Sequence, residues 1–135
     1  MLQFIIDLRT SARDQMLEVT DQVRAGLAAH GVRDGFCLVA SPHTTAGVTI
    51  NEGYDPDVAR DMLVALERCV PHNGDYRHAE GNAAAHVKAT LVGPSQWVPV
   101  LGGELQLGTW QTIWFCEFDG PRRRRLVVSV LESSR

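Results

Sequence analysis

The chain has 135 residues, 44% of them apolar and 21% charged, and these ordinary values predict one globular domain over residues 1–135. No apolar run approaches the roughly 18 residues of a membrane span, and the short N-terminal apolar stretch lacks the basic residues of a signal peptide. The net charge of −3 disfavours a nucleic-acid binder, which is usually basic. We therefore expect a cytoplasmic protein that contacts neither membrane nor nucleic acid.

Short apolar runs predict a chain rich in β-strands. Strands are predicted at residues 3–8, 35–41, 45–51, 97–101, 105–107, 109–118 and 122–131. Gly102-Gly103 is a hairpin signal, and Asp119-Gly120-Pro121 is a turn signal. Within 109–118 the even-numbered residues should face one way and the odd-numbered residues the other. The LVVSVL segment of the last strand is predicted to be buried on both faces.

Two segments have helical spacing. The first begins at Thr20, a candidate N-cap, and stops at Gly31. The second begins with Asp55 as N-cap and Pro56 in the first turn, and it should end near Cys69. Residues 71–83 predict a polar loop, and the periodicity of 85–92 fits helix and strand equally. The fold class is therefore α+β, with a mostly antiparallel, β-sandwich-like core of about seven or eight strands and about two helices.

Two polar segments contain the histidines that could carry chemistry. His43 lies between two predicted strands, and Asn51 and Glu52 follow it. Farther along the chain come His78, Glu80, His86 and Lys88, the last being the only lysine. Neutral imidazole is the commonest nitrogen ligand of zinc, so His43, His78 and His86 are candidate metal ligands. The alternatives are a turn residue for His43 and a solvent-exposed loop for the other two.

A third polar segment combines residues 108–111 with 117–122. Gln111 and Glu117 share a strand face with apolar residues, so they either point into a pocket or face water. The arginine run 122–125 either clamps phosphate or forms a solvated strand with ion pairs between subunits. Because neighbouring strand residues face opposite ways, at most one pair of these arginines can line one site.

The cysteines predict no metal or redox motif. Cys37, Cys69 and Cys116 are widely spaced, and no CxxC pair is present. This excludes a zinc ribbon or thioredoxin-like motif and predicts reduced thiols, with Cys116 a buried, unreactive thiol.

The three polar segments together match a known set of signatures in order and spacing, at residues 41–52, 76–93 and 107–122. On these residues the chain resembles the YjbQ family, small proteins often described as secondary thiamine-phosphate synthases, over nearly its whole length. The resemblance implies a compact α+β sandwich, a homotrimer and a weak activity that joins a pyrimidine diphosphate to a thiazole phosphate and releases diphosphate. The clustered polar residues that it implies are His43, Asn51, Glu52, His78, His86, Lys88, Gln111 and Glu117. One departure is Ala84, where some relatives have a second histidine beside the one that matches His86.

Three functions remain open at this point. The first is an enzyme acting on a small phosphorylated molecule, for which the candidate catalytic residues are His43, Glu52, His86, Gln111 and Glu117. In that reading Asn51, Lys88 and Arg122 bind substrate phosphate, and a divalent metal, zinc or magnesium, is held by His43, His78 and His86. The second is a metal-dependent hydrolase using the same histidines. The third is a non-enzymatic trimeric binding or scaffold protein.

Overall fold

The computed structural model describes residues 1–133, which form eight strands and three helices. Residues 134 and 135, the end of the predicted domain, lie outside the described residues. The strands are β1 (Leu2–Arg9), β2 (Gln15–Glu18), β3 (Gly35–Ala40), β4 (Ala46–Glu52), β5 (Ser95–Leu101), β6 (Glu104–Leu105), β7 (Gln111–Glu117) and β8 (Arg123–Glu132). The helices are α1 (Thr20–Ala29), α2 (Pro56–Cys69) and α3 (Ala83–Val92). The predicted α+β class is confirmed.

Two antiparallel sheets enclose the main core. A five-stranded sheet has the order β1-β8-β3-β5-β6, and a three-stranded sheet has the order β2-β7-β4. Their inner faces and α1 share one apolar cluster, to which β7 contributes Ile113 and Phe115 and β8 contributes Leu126 and Val128. Burial of this contiguous apolar surface is the main force holding the two sheets together.

Helices α2 and α3 pack on the other face of the three-stranded sheet. There three even-numbered residues of the 109–118 segment, Trp114, Cys116 and Phe118, contact the apolar sides of both helices. The predicted alternation of 109–118 is therefore confirmed. It gives the small sheet an apolar cover on both sides.

The helix predictions hold except at two points. Asp55 caps α2 as predicted, because its side chain accepts a hydrogen bond from the Asp57 N–H at 2.9 Å. Thr20 is not an N-cap: Val19 occupies that position, and Thr20 Oγ1 instead accepts from the Ile113 N–H at 2.9 Å, which ties α1 to β7. The segment that fitted helix and strand equally is helix α3, so the described residues form three helices rather than two.

The outer face of the five-stranded sheet is only partly covered. The prediction that LVVSVL is buried on both faces was wrong, because Leu126, Val128 and Val130 are buried whereas Leu131 is 51% exposed. Other large apolar side chains on this sheet are also about half exposed: Ile5, Phe36, Trp97 and Leu101. No helix among residues 1–133 is long and apolar enough to cross a membrane.

Candidate functional site

Polar side chains from three loops meet beyond the end of β3. They surround a pocket of about 490 Å³, here called the His–Arg pocket, whose lining residues are Pro42, His43, Thr44, Thr45, His78, Glu80, Asn82, His86, Asp119, Arg122 and Arg124. Of the predicted site residues, the fold therefore brings His43, His78, His86 and Arg122 together. These come from the β3–β4 loop, the segment that leads into α3, and the turn between β7 and β8.

A buried ion pair forms the base of the pocket. Glu117 is fully buried, and its Oε1 accepts hydrogen bonds from Arg124 Nε and from Thr10 Oγ1, each at 2.8 Å. Arg124 Nη2 donates to Glu117 Oε2 and, at 2.7 Å, to Thr45 Oγ1. The backbone N–H groups of Phe118 and Asp119 complete the carboxylate shell, each at 3.1 Å from Oε2. This dense pairing offsets the cost of burying both charges.

The same pairing leaves one edge of the Arg124 guanidinium unused. Its Nε and Nη2 are occupied, whereas Nη1 has no hydrogen-bond partner among residues 1–133. A guanidinium held in place by a carboxylate has already lost its rotamer freedom, so binding an anion costs it little further entropy. Arg124 is thus a preorganised hydrogen-bond donor to an anion, and it lies in the wall of the pocket.

His43 is held as a neutral ring. The Arg125 backbone N–H donates to His43 Nε2 at 2.9 Å, so the ring accepts at Nε2 and carries its proton on Nδ1. Burial lowers the pKa of His43, and the positive charge of Arg124 lowers it further. His43 therefore offers an Nδ1–H donor at neutral pH, and its Nε2 is unavailable to a metal unless this hydrogen bond breaks.

His78 and His86 form a pair at the N-terminal end of α3. Their ring centroids are 5.3 Å apart with the planes nearly perpendicular, and His78 Nε2 lies 3.9 Å from Glu80 Oε2. Two imidazoles beside a carboxylate can accept and pass on a proton. Among residues 1–133, however, no three His, Cys, Asp or Glu side chains are arranged to hold a metal ion. As placed, the three histidines do not fit a three-ligand site, and the predicted zinc or magnesium stays a prediction.

Asn82 presents an unpaired acceptor in the same region. Its Nδ2 donates to Asp119 Oδ2 at 2.9 Å, and Arg122 Nη2 donates to the same oxygen at 3.1 Å. Because a carboxylate only accepts, the amide NH₂ must face Asp119, and this fixes the position of Asn82 Oδ1. That oxygen is buried and has no hydrogen-bond partner among residues 1–133. Buried acceptors are rarely left unpaired, so this one indicates a missing donor.

Three predicted site residues lie at the far end of the small sheet. Glu52 pairs with Gln111 at one end of β4 and β7, whereas Ala46 pairs with Glu117 at the other. Six residues of strand separate the two ends by about 20 Å. There Gln111 Oε1 accepts from the Gly108 N–H at 2.7 Å, and Glu52 Oε2 accepts from the Asp55 N–H at 3.2 Å. Asn51 is exposed, and its Oδ1 accepts from the Glu52 N–H at 2.7 Å. These three side chains therefore bind the local backbone and do not reach the pocket.

Lys88 is the fourth predicted residue outside the pocket. Its side chain is 2% exposed, and its Nζ donates to Asp14 Oδ2 at 2.7 Å and to Glu67 Oε1 at 2.6 Å. The Phe118 ring lies 5.9 Å from the same Nζ. The predicted phosphate contact would require both ion pairs to break, so the structure gives Lys88 the role of joining α3 to α2 and to the loop before β2.

Sequence reasoning missed Arg124, Asn82 and Asp119 as individual site residues. The strand pattern did contain a signal for Arg124, because it alternates with the apolar residues of β8 and therefore points inward, where Glu117 needs a partner. For Asn82 no signal was available, since its unpaired oxygen follows from a contact across 37 positions. Burial raises the pKa of the Cys116 thiol to about 12, in agreement with the predicted unreactive thiol.

These features define a class: small α+β proteins whose two antiparallel sheets place a histidine- and arginine-lined pocket at their strand ends. The family model for YjbQ-like UPF0047 proteins matches residues 4–133, and the chain belongs to this family. UPF0047 protein YugU of Bacillus subtilis is 49% identical over 128 residues, which cover 93% of this chain and 96% of that relative. The resemblance inferred from the motifs is confirmed.

Solved structures show the same fold. An uncharacterised YjbQ/UPF0047 protein from Clostridium acetobutylicum is 50% identical, with a TM-score of 0.93 over 95% of this chain and 99% of its own. A hypothetical protein from Aeropyrum pernix K1 is 37% identical, with a TM-score of 0.94 over 98% of this chain and 100% of its own. At these identities the likeness extends to the family as well as to the fold.

Proposed function

We propose that the His–Arg pocket is the site of an enzyme that acts on a small phosphorylated molecule, and that the reaction is thiamine-phosphate synthesis. The observation that carries this proposal is the convergence of preorganised Arg124, Arg122 and three histidines on one pocket. Guanidinium groups match phosphate oxygens in geometry and charge. Release of diphosphate requires positive charge where the leaving group develops its negative charge, and the two arginines supply it.

Each pocket group has a role in this proposal. Arg124 Nη1 and the Arg122 guanidinium bind phosphate oxygens, and His43 Nδ1–H donates to the same group. The thiazole nitrogen forms its bond to the pyrimidine methylene as the bond to diphosphate breaks, and His86, paired with His78, donates a proton to the departing diphosphate oxygen. Asn82 Oδ1 accepts from a hydroxyl or amino group on the ligand, which would satisfy the one buried side-chain acceptor left unpaired in the described part of the chain. The pocket thus suits a ligand with an anionic group and a hydrogen-bond donor close together.

Turnover of a pyrimidine diphosphate with a thiazole phosphate tests the proposal directly. We expect His86→Gln to reduce kcat by about 100-fold. Gln111→Ala serves as the control, because Gln111 lies at the far end of the sheet, and we expect its kcat to stay within twofold of the wild type. Turnover that is unchanged in His86→Gln would show that the activity lies elsewhere in the protein or in a contaminant. Absence of turnover would exclude this reaction.

We also propose that the chain forms the homotrimer implied by its family resemblance, with the apolar part of the outer face of the five-stranded sheet as the interface, away from the arginine-bearing end of β8. The half-exposed Ile5, Phe36, Trp97, Leu101 and Leu131 on that sheet support this choice, since large apolar patches mark association surfaces. Native mass spectrometry should show a trimer for the wild type and a monomer for Phe36→Glu. Leu91→Glu, at an exposed leucine of α3, is the matched control and should remain a trimer. A trimeric Phe36→Glu protein would move the interface elsewhere.

A cytoplasmic location is part of the same proposal. Cys37, Cys69 and Cys116 are free thiols, and Cys37 and Cys116 are buried where burial raises their pKa values to about 11 and about 12. Free thiols are typical of a reducing compartment. Fluorescence microscopy of a C-terminal fusion in the source cells would test the location.

A further inference from the structure

A second basic surface lies on the outer face of β1 and β8. The register places Arg9 opposite Arg123 and Asp7 opposite Arg125. All four are exposed, whereas the alternating strand residues Leu8 and Arg124 are buried. Together with His43 these residues line a groove of about 690 Å³, here called the arginine groove and defined by Asp7, Arg9, His43, Arg123 and Arg125.

The arginine groove has an excess of positive charge. Besides Arg124, which Glu117 pairs, it holds three guanidinium groups and one carboxylate, and none of these three arginine side chains makes an ion pair or hydrogen bond among residues 1–133. Arg122 and Arg124, in the same run, are both paired with carboxylates. Like charges directly opposite each other in neighbouring strands are destabilising. An anion in the groove would relieve this repulsion.

The groove and the His–Arg pocket share two lining residues, His43 and Arg124. The Arg125 N–H holds the His43 ring by donating to Nε2. A group bound in the groove and a group bound in the pocket would therefore lie on either side of the same fixed imidazole. The roles given above to the pocket residues make no use of the groove arginines, so these arginines need an explanation of their own.

We propose that the arginine groove is a second anionic subsite, so that the site takes two phosphate-bearing groups, one in the pocket and one in the groove. This inference rests on the proposed phosphate chemistry of the pocket. The two groups belong either to two phosphorylated substrates bound side by side or to one ligand with two separated phosphates. In both cases Arg9, Arg123 and Arg125 recognise the second phosphate by charge and by guanidinium hydrogen bonds.

Calorimetric titration of the full chain with inorganic phosphate at low chloride tests the subsite. We expect two phosphates per chain for the wild type. Arg9→Gln/Arg123→Gln should lose the groove phosphate, with affinity at that site falling about tenfold or more, while the pocket phosphate binds as before. His86→Gln/Arg122→Gln should show the reverse pattern. Arg24→Gln removes one exposed arginine on α1 and is the control for net charge.

The outcomes separate the two proposals. If the groove variant binds phosphate as the wild type does, the second subsite is overturned. If the pocket variant binds phosphate as the wild type does, the proposed function is overturned. If Arg24→Gln weakens phosphate as much as the groove variant, the effect is general charge and the subsite is rejected. If the groove variant changes the oligomeric state in native mass spectrometry but leaves phosphate binding unchanged, the arginines form a subunit contact and the subsite is again rejected.

A bisphosphate probe identifies the source of the two groups. A straight-chain alkanediol bisphosphate that binds once per chain, at least tenfold more tightly than inorganic phosphate, indicates one ligand spanning His43. Two bound probes per chain indicate two phosphorylated substrates. The subsite is contradicted if the probe binds once per chain with the affinity of inorganic phosphate and binds the groove variant equally well.

Discussion

The two faces of strand β8 use the same residue type in opposite ways. Arg124 points inward, where Glu117 and Thr45 occupy two of its nitrogens and bury it. Arg123 and Arg125, its immediate neighbours, point outward and have no side-chain partner among residues 1–133. A run of like charges therefore has no single role. The pleat divides it into a structural ion pair on one side and a charge excess, open to a ligand, on the other.

Removing the inward partner should have the largest effect. Glu117→Ala leaves the buried Arg124 guanidinium uncompensated, and we expect a loss of about 3–5 kcal/mol in the free energy of unfolding. Urea denaturation measures this loss. Glu104→Ala, at an exposed acid of β6, should change stability by less than about 0.5 kcal/mol. The double variant Glu117→Ala/Arg124→Met should recover part of the loss, because it leaves no unpaired buried charge.

Breaking the other buried cation should cost less. Lys88→Met removes the partner of Asp14 and Glu67, but both carboxylates reach solvent, so we expect a loss of about 2 kcal/mol. Phosphate binding should stay unchanged because Lys88 does not line the pocket. A Lys88→Met protein with wild-type stability but no phosphate binding would instead place this residue in the ligand site.

The ion pair between Lys88 and Glu67 should affect how stability changes at low pH. The His72 N–H, and after it Lys88, lower the pKa of the Glu67 carboxyl below its usual 4.5. A group with a lowered folded-state pKa stabilises the protein above its unfolded pKa, and that stability is lost as pH falls through the folded value. The acid limb of the stability curve, measured by urea denaturation below pH 5, should therefore be shallower in Lys88→Met. An unchanged limb would remove Lys88 from the cause.

His43, which lines both the arginine groove and the His–Arg pocket, should affect stability at a pH closer to neutral. Its pKa lies below the ordinary 6.5, because burial and Arg124 disfavour the charged ring. The unfolded chain therefore binds the proton first, so stability should fall as pH drops from about 6.5 through the folded-state pKa. NMR titration of the ring should give that lowered pKa, and His43→Gln should remove its share of the slope. A His43 pKa at or above 6.5 would contradict the neutral-ring assignment.

The outward face should show the smallest change in stability. Arg123→Gln removes one of two like charges opposite each other, so we expect the free energy of unfolding to stay constant or rise by up to about 0.5 kcal/mol. The same change should weaken phosphate in the groove. A loss of stability above about 1 kcal/mol would show that Arg123 has a structural partner.

The local elements and the family could be predicted from the amino-acid sequence alone. The Asp55 cap, the alternation of β7, the Gly102-Gly103 hairpin and the signatures around His43 and His86 all depend on neighbouring residues, and all were readable from the chain. What it could not determine was which strand ends meet. Only the antiparallel register of β4 and β7 decided that Glu117 lies at the pocket while Glu52 and Gln111 lie about 20 Å away.

Tertiary structure also decided the partners of the charged residues. Lys88 is paired with Asp14, 74 positions away, and Asn82 with Asp119, 37 positions away, and no local pattern encodes such contacts. Periodicity reports only which face of an element a side chain occupies. Which charged group a side chain contacts depends on how distant elements pack. The sequence therefore showed the candidate residues, but it did not show which of them line the pocket and which only hold the fold together.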